Sequence, residues 1–159
     1  MEQNIEIIKK AAEFAVKKHK GQKRDGGQEE YIVHPMQVAL LLSLITQDPH
    51  VVAAAYLHDT IEDTDTTYEE LLQEFGKDIA DLVNEVTHEG AKDEFGFYFP
   101  RLKTKRGIMI KLADRLSNIN AMETWPISRQ EQYLRKTKFW NSEKPSEPSE
   151  RERWIEDKK

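Results

Sequence analysis

The chain has 159 residues, 38% of them apolar and 33% charged, a composition and length that fit one domain with a modest core. With 24 Lys+Arg against 29 Asp+Glu and a net charge of −5, it has no basic footprint for a nucleic acid polymer, and a phosphate-rich ligand would need a local basic group or a bound cation. The absence of cysteine excludes disulfides, thiol nucleophiles and cysteine-based zinc sites.

The opening residues lack the charged and apolar regions of a signal peptide, and the longest apolar run, near Val38–Ile45, is far too short to span a membrane. A soluble cytoplasmic protein with no membrane partner is expected. A first helix is predicted from Asn4, a good N-cap, to about Lys20, where Gly21 stops it. Ile5, Ile8, Ala12, Ala15 and Val16 recur on it at helical spacing, and His19 suits the negative end of its dipole. Residues 21–33 read as a polar, glycine-containing loop. Lys23 and Arg24 are its cations, and Tyr31 and Ile32 pin it to the core.

His34-Pro35 opens a second helix, with Val38, Leu41, Leu42 and Ile45 as its buried face. Asp48-Pro49 opens a third, as N-cap and N1. From Val51 to Leu57 this helix is apolar nearly all round, so it is central, with His50 exposed in its first turn. His58 and Asp59 follow at its C-terminal end. An unpaired buried carboxylate is very costly, so this pair needs partners. If the helix continues another turn, Asp59, Glu62 and Asp63 share a face, and three like charges there repel unless a cation joins them. The alternative is a solvated acidic loop.

Thr67 and Glu70 form a capping box for a short helix over about 68–75, stopped by Gly76. The next, about 77–88, buries Ile79, Leu82, Val83 and Val86 and leaves His88 as a surface residue near its end. The aromatic run Phe95, Phe97, Tyr98 and Phe99 reads as a packed loop or as a flap over a ligand. A long helix over about 101–120 has Ile108, Leu112, Leu116 and Ile119 as its apolar face. Lys111, Asp114 and Asn118 share another face. Asp114 fits either surface ion pairs with Lys111 and Arg115 or a pocket shared with Asn118. Ser128 and Glu131 cap a last helix, about 129–140, with Tyr133, Phe139 and Trp140 as anchors. The expected organisation is one domain over 1–140 and a polar tail rich in Ser, Glu and Pro over 141–159. No stretch has strand periodicity, so the fold class is all-α, a bundle whose central helix carries the His58–Asp59 pair.

His34, His58, Asp59 and Asp114 stand out as potential metal ligands on three helices. Two imidazoles and two carboxylates suit Mn²⁺, Fe²⁺ or Zn²⁺ better than Ca²⁺. Such an ion can acidify a water and polarise a phosphoryl oxygen. Glu62 and Asp63 can then act as general base or orient the attacking water.

The runs YIVHP over 31–35, LHDTIEDT over 57–64 and KLADRLSN over 111–118 occur in that order. Together, across roughly residues 5–120, they resemble the hydrolase domain of RelA/SpoT proteins, and the stand-alone, Mesh1-type small alarmone hydrolases, among the HD-domain metal-dependent phosphohydrolases. The resemblance implies Mn²⁺ held by His34, His58, Asp59 and Asp114, with Glu62 and Asp63 activating or positioning water. It implies Arg24 against the base of a nucleotide, with Asn118 near the ribose or phosphate and Lys111 also in contact with substrate. The implied reaction converts the nucleotide ppGpp or pppGpp to GDP or GTP and pyrophosphate. Some positions depart from the family. The Arg24-to-Tyr31 loop is one residue longer, Asp25 replaces a common basic residue, Ala121 replaces a common threonine, and 89–107 looks different. These departures touch base and diphosphate contacts. They leave (p)ppApp or the 2′-phosphate of NADPH as alternative substrates, and a non-catalytic nucleotide-binding module or an antitoxin as alternative roles.

Overall fold

The apolar run after Asp48 lies at the centre of the protein, where its composition predicts it. The computed structural model describes residues 2–24, 27–88, 90 and 102–137. Asp25, the aromatic run 95–99 and the polar tail lie outside them. The helices are α1 (Glu2–Lys18), α2 (Val33–Ser43), α3 (Pro49–Leu57), α4 (Thr60–Asp63), α5 (Tyr68–Phe75), α6 (Lys77–Val86), α7 (Lys105–Ala121) and α8 (Ile127–Thr137), with a 3₁₀ turn at Met122–Thr124. Among the described residues there is no strand, only an isolated bridge between Lys23 and Glu30 that closes the loop after α1. No helix among them is long and apolar enough to cross a membrane.

α3 starts as predicted. Pro49 occupies its first turn and the Asp48 carboxylate accepts from the His50 amide at 3.0 Å. Val51, Ala53, Ala54, Ala55 and Leu57 are fully or almost fully buried. The three alanines let α1, α2, α6 and α7 pack closely around this helix. Each buried valine or leucine contributes about 1.5–3 kcal/mol relative to exposure. His50 is half-buried rather than exposed, with Nδ1 2.6 Å from Asp78 Oδ2.

Several faces are turned from their predicted settings. In α1, Ile5 and Val16 are exposed, while Ile7, Ile8, Ala11, Phe14 and Ala15 face the core. That second set has the same helical period, and its alanines allow close approach to α3. His19, expected as a helix-end residue, is buried, and its Nδ1 lies 2.8 Å from Gln22 Oε1. Ile45 is 68% exposed because α2 ends at Ser43, two residues before it.

α7 departs most. Leu112 and Leu116, expected in the core, are 41% and 45% exposed. Lys111, Asp114, Arg115 and Ser117 are buried instead. The charged side chains meet partners inside the protein, and that requirement overrides the apolar periodicity. The N-terminal end of α7 is held by Glu85 of α6, whose Oε1 accepts from the amides of Lys103 and Thr104, both at 2.6 Å. Gly107 in its first turn lies against the same carboxylate. A Cβ there would come within 2.3 Å of Glu85 Oε1.

Candidate metal centre

The His58–Asp59 pair sits just past the end of α3, at a break in the helical path. His58 keeps helical angles, but Asp59 has φ −99° and ψ 0° before α4 begins at Thr60. Two side chains anchor the break: His58 Nδ1 donates to the Ala55 carbonyl at 2.8 Å and Thr60 Oγ1 to the Leu57 carbonyl at 2.7 Å. They satisfy carbonyls that a helix end leaves unpaired. With Nδ1 carrying that proton, His58 Nε2 points into the site. This atom is buried and has no hydrogen-bond partner among the described residues.

Three further ligand atoms surround it. Asp59 Oδ2 lies 3.0 Å from His58 Nε2 and 3.4 Å from His34 Nε2. Asp114 Oδ1 of α7 lies 3.2 Å from His34 Nε2 and 3.8 Å from His58 Nε2. The ligand atoms of His34, His58 and Asp59 fall within 4.8 Å of one another. Donors each about 2.0–2.2 Å from one ion stand roughly 3–4 Å apart, so this spacing fits a shared cation. The orphaned Nε2 beside two buried carboxylates fits it too. The predicted quartet is therefore brought together from the start of α2, the end of α3 and the middle of α7.

Burial alone would discharge these groups, but their neighbours outweigh it. His58 is held well above the ordinary histidine range by Asp59 and Asp114 despite its desolvation. Asp59 is held well below the carboxylate range because His58 and His34 overcome burial, and Asp114 likewise because of Lys111 and His34. Tyr31, expected only to pin its loop, donates its hydroxyl to Asp59 Oδ2 at 2.5 Å. Its position three residues before His34 was the available signal.

Glu62 and Asp63 lie on α4, directly beyond the quartet. Burial pushes the Glu62 carboxyl up to about 7, with Lys111 opposing and Asp59 reinforcing the shift. Burial and Asp59 also raise Asp63. The Asp63 main-chain carbonyl accepts from Gln22 Nε2 at 2.7 Å, which ties α4 to the loop after α1. Lys111 stands behind the carboxylates, its Nζ 2.9 Å from Asp114 Oδ2.

Beside the quartet opens a cavity of about 250 Å³, lined by Arg24, Tyr31, Asn118, Trp125, Arg129 and Tyr133 among others. Arg24 is buried, unlike a solvated loop charge, and donates to Asn118 Oδ1 at 3.2 Å. Asn118 Nδ2 donates in turn to Asp114 Oδ1 at 2.8 Å and to the Tyr133 hydroxyl at 3.0 Å. The far wall is aromatic and cationic: Arg129 stacks on Trp125 at 4.2 Å, and the Trp125 and Tyr133 rings meet edge to face at 5.4 Å. Lys111 is not on this wall. Trp125 and Arg129 went unsingled in the sequence, since they lie on a turn and a helix start outside the metal-ligand motifs.

Comparison with known proteins places these features in a family. An HD-domain family model matches residues 11–95. The chain is 44% identical over 128 residues to a guanosine-3′,5′-bis(diphosphate) 3′-pyrophosphohydrolase of Aquifex aeolicus, a match covering 76% of this chain and 18% of that much longer protein. It is 37% identical to the corresponding enzyme MESH1 of Xenopus tropicalis, over 90% of this chain and 85% of the relative. A solved structure of a metazoan ortholog of SpoT, described as hydrolysing ppGpp and playing a role in starvation responses, superposes with a TM-score of 0.74. Its identity is 31%, and the match covers 83% of this chain and 82% of that one.

Proposed function

Since the chain belongs to the HD-domain family, and within it to the group of guanosine-3′,5′-bis(diphosphate) 3′-pyrophosphohydrolases, we propose that it removes the 3′-diphosphate of ppGpp or pppGpp, giving GDP or GTP and pyrophosphate. The observation that carries this reading is the convergence of His34, His58, Asp59 and Asp114 next to a cavity lined by arginines and aromatic rings.

The four side chains would hold a divalent cation, and Mn²⁺ suits their mixture of imidazole and carboxylate. The cation would supply Lewis acidity and offset phosphate charge. Glu62, with its raised pKa, takes a proton from water near neutral pH, and Asp63 orients that water. The water oxygen bonds to the phosphorus on the ribose 3′-oxygen, the bond from phosphorus to that oxygen breaks, and the 3′-oxygen takes up a proton as pyrophosphate leaves. Arg24 offers a planar cation to the base, and Trp125 and Tyr133 enclose it. Asn118 reaches the ribose or phosphate edge. Lys111 balances the carboxylates from behind and adds positive potential for phosphate. These cations offset locally a net charge that repels the substrate at long range.

The test incubates purified protein with ppGpp, ppApp and NADPH, each with Mn²⁺ and with chelator. Release of GDP and pyrophosphate from ppGpp, lost on chelation, is expected. Turnover confined to ppApp or NADPH overturns the substrate. No turnover of any, with retained nucleotide binding, favours the binding-module reading.

A further inference from the structure

His34 can serve a cation only through Nε2, so its proton must sit on Nδ1. The structure contains a chain of groups that enforces this. His34 Nδ1 lies 2.9 Å from Ser117 Oγ, and Ser117 Oγ donates to Gln37 Oε1 at 2.8 Å. An amide oxygen cannot donate, so the single hydroxyl proton of Ser117 is committed to Gln37. The serine oxygen is then left as an acceptor, and only an Nδ1–H form of His34 can meet it. Gln37 Oε1 also accepts from Arg24 Nη1 at 3.2 Å. That second donor keeps the amide oxygen, rather than the NH₂ group, turned toward Ser117. If the amide flipped, the serine hydroxyl would turn to His34 and drive its proton to Nε2. Arg24 Nη2 also approaches His34 Nδ1, at 3.4 Å, but the shorter serine contact with its committed proton decides the polarity. His34 and Ser117 are almost wholly buried, so water does not compete at the contact between Nδ1 and the serine oxygen.

We infer that Gln37 and Ser117 are positioning residues: an Arg24–Gln37–Ser117 relay orders the proton of His34 and thereby keeps its Nε2 free for the cation. This inference rests on the metal-centre part of the functional reading but not on its substrate. A cation in the nucleotide cavity thus sets the tautomer of a metal ligand through one side chain of α2 and one of α7.

The test measures Mn²⁺ affinity with no nucleotide present, from the magnetic resonance signal of free Mn²⁺, in the full chain and its variants. Ser117→Ala and Gln37→Met should each weaken binding by about 10–100-fold, the range for groups that orient a metal-bound histidine. Ser117→Thr and Gln37→Glu keep a hydroxyl and an acceptor in place, and each should bind within a few-fold of the natural protein. Gln37 is exposed, so its variants do not test core packing. In the zinc-loaded protein, the hydrogen-bonded Nδ1 proton of His34 should resonate downfield in the natural chain and in Ser117→Thr, and shift upfield in Ser117→Ala. Natural affinity in Ser117→Ala or Gln37→Met overturns the relay, as does weakening in Gln37→Glu equal to that in Gln37→Met. Because no nucleotide is used, loss of the relay is distinguishable from failure of the substrate assignment.

Discussion

His88 holds Glu62 by both carboxylate oxygens: its amide donates to Oε1 at 2.8 Å and its Nε2 stands 3.3 Å from Oε2. The Gly90 amide donates to His88 Nδ1 at 3.0 Å, so the neutral ring carries its proton on Nε2, the nitrogen nearest Glu62. His88→Ala removes one of the two grips and leaves the main-chain one. kcat for ppGpp should fall about tenfold with KM nearly unchanged, less than the 10²–10⁴-fold range for loss of a general base. His88→Gln, which keeps a donor, should recover part of it. A change confined to KM would place His88 at the substrate instead.

Glu62→Gln should cut kcat by about 10²–10⁴-fold while leaving Mn²⁺ affinity within a few-fold, because Glu62 stands outside the quartet. The same variant reads the buried charge. The folded-state pKa of Glu62, about 7, lies above the ordinary 4.5, so the folded chain binds the extra proton between those values. Stability that is complete below about 4.5 is lost as pH rises toward 7, by at most about 3 kcal/mol. Metal-free Glu62→Gln should therefore melt higher than the natural protein at pH 8 and no higher at pH 5. Equal melting temperatures at both would show that Glu62 is well solvated.

Chelation should abolish turnover and lower the melting temperature. A cation at 100 times its Kd adds about 2.7 kcal/mol of stability, a difference that calorimetry resolves. His58 binds its proton well above the usual histidine pKa, and that proton competes for Nε2. Mn²⁺ affinity should fall as pH is lowered, starting above pH 6.5. Titration of Mn²⁺ across pH 6–9 checks this, and a flat profile would count against Nε2 as a ligand atom.

Trp125→Ala should raise KM for ppGpp without a matching loss of kcat. An aromatic surface under a base is worth about 1–3 kcal/mol, so the rise should lie between about fivefold and about 150-fold. Mn²⁺ affinity should not move. An unchanged KM would exclude the Trp125–Tyr133 wall from substrate binding.

Gly107→Ala should destabilise the protein by about 1–3 kcal/mol, since a methyl group would meet Glu85 at 2.3 Å. The carboxylate also holds the start of α7, and α7 carries Asp114. Weaker Mn²⁺ binding should therefore accompany the lower melting point. Gly107→Ala combined with Glu85→Ala should recover part of the packing loss but not the lost cap.

The four converging side chains were legible because each sits at an unusual chemical position: a histidine before a helix-opening proline, a His-Asp pair after an apolar helix, an aspartate among apolar neighbours. α3 was legible because its caps and its uniform apolarity agree. The facing of α7 was not. Its leucines have a good amphipathic period, and nothing local reveals that Asp114, paired with Lys111, finds buried partners in His34 of α2 and His58 just past α3. Trp125 and Arg129 were missed for a related reason: their meaning depends on Arg24, about a hundred residues earlier in the chain, and no spacing rule connects them. His88 read as a surface residue because its partner, Glu62, lies across the fold.

The break between Leu57 and Thr60 has a consequence for engineering. In an unbroken helix, neighbouring side chains diverge by about 100° around the axis, so a His-Asp dipeptide cannot aim both groups at one point. Here the φ of Asp59, −99° against a helical value near about −63°, turns its side chain relative to His58, and Oδ2 lies 3.0 Å from His58 Nε2. A transplant of this centre into another scaffold must carry the interruption, with Thr60 and the Ala55 carbonyl that hold it open. A graft of the four ligands onto straight helices would lose one of its adjacent pair.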